Sequence, residues 1–135
     1  MPFVVWDNSY SVNVKQCDTE HQKLFSLLNA LHHAMMAGSG RSIIGPVVAD
    51  LGNYTKTHFQ AEEALMQKAA YPALAGHRSE HHKFIVQVDK LQKDMESGHG
   101  ASAIEAFNFL KDWLASHIKQ TDRLYSAHLN AKGIR

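Results

Sequence analysis

The 135-residue chain reads as all-α: an antiparallel up-down-up-down four-helix bundle with an extended N-terminal arm. Three observations predict this. Apolar residues recur at helical spacing in four long runs, glycine or proline breaks separate the runs, and the short connections return each helix beside the one before it. One domain covering residues 1–135 is expected, since this length buries a core without disulfides.

In the arm, residues 1–17, Trp6, Tyr10, Val12 and Val14 are aromatic or β-branched and lack helical period, so a strand-free segment packed across the domain is expected. The first helix, about 19–37, is given a cap at Asp18 or Thr19 and a capping box of Thr19 with Gln22. Its inward stripe is His21, Leu24, Phe25, Leu28, Leu31 and Met35, and Gly38-Ser39-Gly40 ends it. The second helix, about 42–68, tolerates Pro46 near its first turn and turns Ile44, Val47, Val48, Leu51, Tyr54, His58, Glu62 and Leu65 inward. Tyr71-Pro72 breaks the chain, because proline pushes the preceding residue out of helical geometry. The third helix, about 73–96, carries Leu74, His77, His81, Phe84, Ile85, Val88, Leu91 and Met95 on its inner line. After Gly98-His99-Gly100 the fourth helix, about 101–126, buries Ala103, Phe107, Leu110, Leu114, His117 and Ile118.

Composition removes several function classes. Fourteen basic and 13 acidic residues give a formal net charge of +1, which offers no field for nucleic acid or an anionic membrane. No uncharged apolar run approaches the roughly 18 residues needed to span a bilayer, so membrane insertion is not expected. The N-terminus lacks a basic segment followed by an apolar one, and a cytoplasmic location is expected. Cys17 is the only cysteine, so neither an internal disulfide nor a thiolate metal cluster can form. Ten histidines are the compositional oddity.

Seven residues carry the chemistry: His21, His58, Glu62, His77, His81, His117 and Asp122 lie on or beside the apolar stripes of four different helices. Residues four apart on a helix differ by about 40° in direction, so His58 with Glu62, and His77 with His81, can grip a common centre. His117 and Asp122 are five apart, about 140° on an ideal helix, so both reach the core only if the helix unwinds, bulges or ends between them. An ionised carboxylate in an apolar stripe costs several kcal/mol without a partner, and a cation removes that penalty. Imidazole and carboxylate without thiolate suit iron, manganese or zinc, and seven ligands are too many for one ion. Two octahedral ions offer about twelve positions. Five histidines, two bridging carboxylates and one bridging oxide or hydroxide fill all but one, leaving room for one small ligand.

These residues resemble the hemerythrins, and among them the bacterial single-domain type. The matching segments are Asp18-x-x-His21, His58-Phe59-x-x-Glu62-Glu63-x-Leu65-Met66, Tyr71-Pro72 with His77-x-x-x-His81, and Trp113-Leu114-x-x-His117-Ile118-x-x-x-Asp122. The resemblance runs from Trp6 to about Tyr125. It implies a non-haem di-iron centre with a bridging oxide or hydroxide. His77, His81 and His117 would hold one iron, His21 and His58 the other, and Glu62 and Asp122 would bridge both. It further implies reversible dioxygen binding, end-on as hydroperoxide at the iron with two histidines, in a dry pocket of Leu24, Phe59, Trp113, Leu114 and Ile118. The bridge proton and two electrons would pass to oxygen together, so the centre's net charge would not change.

The remaining residues receive plainer roles. His32 sits about 16 Å along the helix from His21 and reads as boundary or core; His33, His99 and His128 read as solvated, and His82 points about 100° away from its neighbour His81. Glu63 reads as the exposed neighbour of Glu62, Tyr54 and Trp113 as packing, and Cys17 as a small buried hydrophobe.

Two function classes follow. A carrier, storage or delivery protein turns over no substrate, works as a monomer and passes oxygen to an oxygen-consuming enzyme. The alternative is a di-iron oxidase, peroxidase or nitric-oxide-handling enzyme, or an oxygen or redox sensor acting through a separate partner. Carboxylate-rich sets favour ferric iron and irreversible oxygen reduction, whereas five neutral imidazoles against two carboxylates favour the carrier.

Overall fold

A computed structural model describes residues 4–38, 41–97 and 100–135. Ser39, Gly40, Gly98 and His99, and the side chains of Met95 and Ala103, lie outside the described set. The chain forms a four-helix bundle: α1 (Lys15–Met36), α2 (Arg41–Lys68), α3 (Leu74–Ser97), and a fourth rod made of α4 (Gly100–Ser116), a π-helical segment (His117–Asp122) and α5 (Arg123–Ala131). Each of α1 to α4 packs against its neighbour in sequence, as short antiparallel connections require. No helix among the described residues is long and apolar enough to cross a membrane.

The inward stripes are where the helical period puts them. Leu24, Phe25, Leu28 and Leu31 of α1, Val48 and Leu51 of α2, Phe84, Val88 and Leu91 of α3, and Phe107, Leu110 and Leu114 of α4 form one buried cluster. Residues such as Met35, Tyr54, Leu65 and Ile85 sit half-buried at its margin.

The start of α1 differs from expectation. The helix begins at Lys15, not near Asp18 or Thr19, and Val14 occupies the cap position without a side-chain hydrogen bond. Asp18 lies in the first turn and turns back onto the arm, accepting from the Val12 amide at 2.8 Å and the Ser11 hydroxyl at 2.6 Å. A carboxylate there still favours the helix N-terminus, and it also anchors the arm. The Thr19–Gln22 capping box is therefore not formed, and His21 sits in the second turn.

The arm is not wholly extended. A short 3₁₀ turn spans Asn8–Tyr10, with the Asp7 side chain accepting from the Ser9 amide. Val4 exchanges two hydrogen bonds with the Asn29 side chain. Arg123 donates to the Ser9 carbonyl, Asn130 to the Asn13 carbonyl, and Ser126 to the Val12 carbonyl. Trp6 and Tyr10 pack on Phe25, which lays the arm over the His21 side of the bundle.

The other boundaries move by one residue or so, apart from the fourth rod, which runs on to Ala131. At the end of α2, Tyr71 donates to the Met66 carbonyl and Ala70 to the Gln67 carbonyl, the paired bonds of a Schellman motif. That motif forces Ala70 to φ +53°, a left-handed conformation that costs a non-glycine residue about 1 kcal/mol. Ala70→Gly should raise the unfolding free energy by about 0.5–1 kcal/mol, read from denaturant midpoints; a lower midpoint would contradict this. His128, expected in solvent, lies at the same end and contacts the Ala69 carbonyl through Nε2 at 2.6 Å.

Candidate metal centre

Each helix delivers its share of the cluster through its own periodicity. His58 and Glu62 of α2, and His77 and His81 of α3, are four apart and point to one side. His117 and Asp122 begin and end the π segment, so the expected distortion is present. Its i→i+5 bonding fits more residues into each turn than the 3.6 of an α-helix, which swings Asp122 back toward the face of His117 where an α-helix would have carried it away. All seven side chains are buried.

The two carboxylates lie between the imidazoles, and each divides its oxygens between two groups of them. Glu62 Oε1 lies 3.3 Å from His77 Nε2 and 3.0 Å from His81 Nε2; Oε2 lies 3.3 Å from His21 Nε2 and 3.4 Å from His58 Nε2. Asp122 Oδ1 lies 2.7 Å from His77 Nε2 and 2.8 Å from His117 Nε2, while Oδ2 lies 3.1 Å from His21 Nε2. The donor atoms of Glu62, His77, His81, His117 and Asp122 form one compact set, and those of His21, His58 and Glu62 a second.

This set fits metal ions. The Nε2 atoms of His58, His77, His81 and His117, Glu62 Oε1 and both Asp122 oxygens are buried without a hydrogen-bond partner. Each such orphan costs about 1–3 kcal/mol, so seven in one place call for a cation. Two ligand atoms at right angles, each about 2.1 Å from a shared ion, are about 3 Å apart, and the observed separations bracket that value.

Electrostatics point the same way. Burial alone would push the His21 imidazole down, but Asp122 and Glu62 against its Nε2 outweigh this and raise it to about 10. His77 is buried too, and the same two acids raise it to about 9. Burial would raise Glu62, yet His21, His58, His77 and His81 hold it well below the usual carboxylate range. Asp122 is lowered despite its burial and the nearby Glu62, chiefly by His117. The site is thus a set of positive charges around two carboxylates, which protons or metal ions can supply.

Sequence reasoning missed an outer layer of acids. Glu20 of α1 contacts His58 Nδ1 at 2.6 Å, Glu63 of α2 contacts His81 Nδ1 at 2.8 Å, and Glu80 of α3 contacts His117 Nδ1 at 2.9 Å. Each of α1, α2 and α3 therefore orients one histidine of the element that follows it, leaving that residue's Nε2 to face inward. Glu63 is not merely an exposed neighbour; it joins His81 to Arg78 at the surface. The available signal was adjacency: Glu20, Glu63 and Glu80 each sit beside a site residue, about 100° round the helix and toward the neighbouring one. His21 differs, its Nδ1 being buried without a partner. Glu20→Gln, Glu63→Gln and Glu80→Gln should each weaken metal binding by roughly 10- to 100-fold in chelator competition; unaltered affinity in all three would contradict an orienting role.

Tyr125 was also missed. Fully buried, it donates its hydroxyl to Glu62 Oε2 at 2.8 Å, placed there by its i+3 spacing from Asp122 as the helix resumes. Cys17 is buried as expected, and its thiol is pushed up by burial and then by Glu62.

The apolar residues expected around the site divide. Leu24, Phe59, Leu114 and Ile118 are buried, and Phe59 stacks face to face on His81 with ring centroids 3.7 Å apart. Trp113 stacks on His117 at 4.3 Å but is only half-buried. His32 stacks on Phe107, and His33 and His82 are exposed, as their spacing implies.

A helical bundle enclosing a buried imidazole–carboxylate cluster able to hold metal defines a class of cation-binding protein. The hemerythrin HHE cation binding domain family matches residues 12–129. Bacteriohemerythrin of Methylococcus capsulatus is 34% identical over 97% of this chain and 100% of its own. Myohemerythrin-1 of Phascolopsis gouldii is 32% identical over 93% of each chain. A crystal structure of wild-type hemerythrin superimposes with a TM-score of 0.84 at 34% identity, covering 94% of this chain and 98% of that one. The chain belongs to the hemerythrin family.

Proposed function

We propose that this chain binds dioxygen reversibly at a pair of iron ions joined by an oxide or hydroxide, as a carrier and not as a catalyst. The observation that carries the reading is the division of the Glu62 and Asp122 oxygens between His77, His81 and His117 on one side and His21 and His58 on the other. Carboxylates so placed would hold two ions between them, His77, His81 and His117 taking one and His21 and His58 the other. The side held only by His21 and His58 would leave room for one small ligand, end-on dioxygen. When bound, a ferrous pair supplies the two electrons that dioxygen draws on.

The chain's own residues do the rest. Tyr125 donates to Glu62 Oε2 and fixes the orientation of that carboxylate. Leu24, Phe59, Leu114 and Ile118 exclude water, which protects a ferrous centre from proton-assisted oxidation. Glu20, Glu63 and Glu80 face the far nitrogens of ligands, so none stands at the centre as a base for turnover. A single chain passing oxygen to an oxygen-consuming enzyme suits this role.

Anaerobic iron-loaded protein titrated with oxygen and then degassed should gain and lose its charge-transfer bands reversibly. A one-way change would favour the oxidase reading. Leu114→Asn, which admits water, should speed autoxidation on the order of tenfold; an unaltered rate contradicts the dry pocket.

A further inference from the structure

Of the three outer carboxylates, Glu80 stands apart. Glu20 has both oxygens engaged, by His58 and Gln16, and so does Glu63, by His81 and Arg78. Glu80 gathers His117 and the Thr121 hydroxyl on Oε2 alone, and among the described residues no hydrogen bond or ion pair reaches its Oε1. Its side chain is 40% exposed against 21% for each of the others. It lines a surface cleft of about 270 Å³ together with Lys83, Trp113, His117, Gln120 and Thr121.

His117 belongs to both compartments: it lines the cleft, yet it is 3% exposed and its Nε2 points unpartnered into the centre. It also opens the π segment, where the regular α-helical hydrogen-bond ladder of the fourth rod is interrupted. The arm covers the His21 side, and the Arg78 guanidinium occupies the outer oxygen of Glu63.

We propose that metal ions pass between solvent and the buried centre through this cleft, with Glu80 Oε1 as the first ligand met and the π segment as the wall that yields. The proposal rests on the reading of the cluster as a metal centre. A residue that interacts with the ion only in passage changes uptake and release by the same factor and leaves affinity alone. An orienting residue changes affinity.

The test follows ferrous iron, anaerobically, leaving the iron-loaded full chain for excess chelator and entering the metal-free chain. Lys83→Glu and Gln120→Glu each add negative charge at the mouth, from α3 and from the π segment. Each should speed uptake and release together by roughly threefold or more at low salt, and the gain should fade at high salt. Lys23→Glu, on the α1 face where Lys23 lies over Tyr54, is the control and should alter neither rate. Unaltered rates in both cleft variants, or equal acceleration by Lys23→Glu, overturn the route. A wild-type chain that takes up no iron at all overturns the metal reading, and this route with it.

Discussion

Glu62→Gln should yield a folded helical chain that holds at most one metal ion, and holds it about two to three powers of ten more weakly than the parent. The substitution keeps the shape of the side chain and removes its charge. Four imidazole nitrogens lie within 3.4 Å of the Glu62 oxygens, and both donor sets depend on this one residue. Removing one partner of a buried charge cluster costs about 3–5 kcal/mol because the others are left uncompensated. Asp122→Asn should act in the same direction. Elemental analysis after chelator competition reads the result, and a variant retaining two tightly bound ions would contradict the shared-carboxylate arrangement.

Removing the metal should reveal an unusual dependence of stability on pH. In the metal-free form Asp122 and Glu62 raise His21 to about 10 and His77 to about 9, against an ordinary imidazole value of 6.5. A group raised on folding stabilises fully below its unfolded value, and that contribution is lost as pH climbs through the folded one. The metal-free chain should therefore weaken steadily from about pH 6.5 to about pH 10. Glu62 and Asp122 are lowered, so their contribution is present above about pH 4 and fails only in acid.

With metal in place the cations do what the protons did, and affinity rises with pH because binding displaces protons from the imidazoles. The melting temperature of chelator-treated protein should fall on the order of 10 °C between pH 6.5 and 9.5, while that of the loaded protein holds. Calorimetry on the two forms distinguishes the cases. A metal-free chain equally stable at both pH values would mean the imidazoles are not charged by the buried acids.

Much of this was legible in the sequence because helical periodicity is a strong signal when apolar runs are long and their breaks are sharp. His58 with Glu62 and His77 with His81 could be placed from four-residue spacing alone, and the five-residue gap from His117 to Asp122 required a distortion that the structure supplies as a π segment. Where α1 begins was not legible. Asp18 and Thr19 are good capping residues, but tertiary contacts to Val12 and Ser11 drew Asp18 away and let the helix extend to Lys15.

The outer acids were hidden for a related reason. Glu20, Glu63 and Glu80 act across helix interfaces, and the rotation that brings each onto the next helix's histidine is a property of packing, not of spacing within one helix. Tyr125 was hidden by the π segment itself, since its direction depends on how many degrees the chain turns between His117 and Asp122.

The most direct test is anomalous diffraction at the iron absorption edge from crystals of the iron-loaded protein. Two peaks should lie inside the bundle, one beside His21 and His58, the other beside His77, His81 and His117, with Glu62 and Asp122 reaching both. A single peak, or peaks bound away from these side chains, would contradict the paired centre.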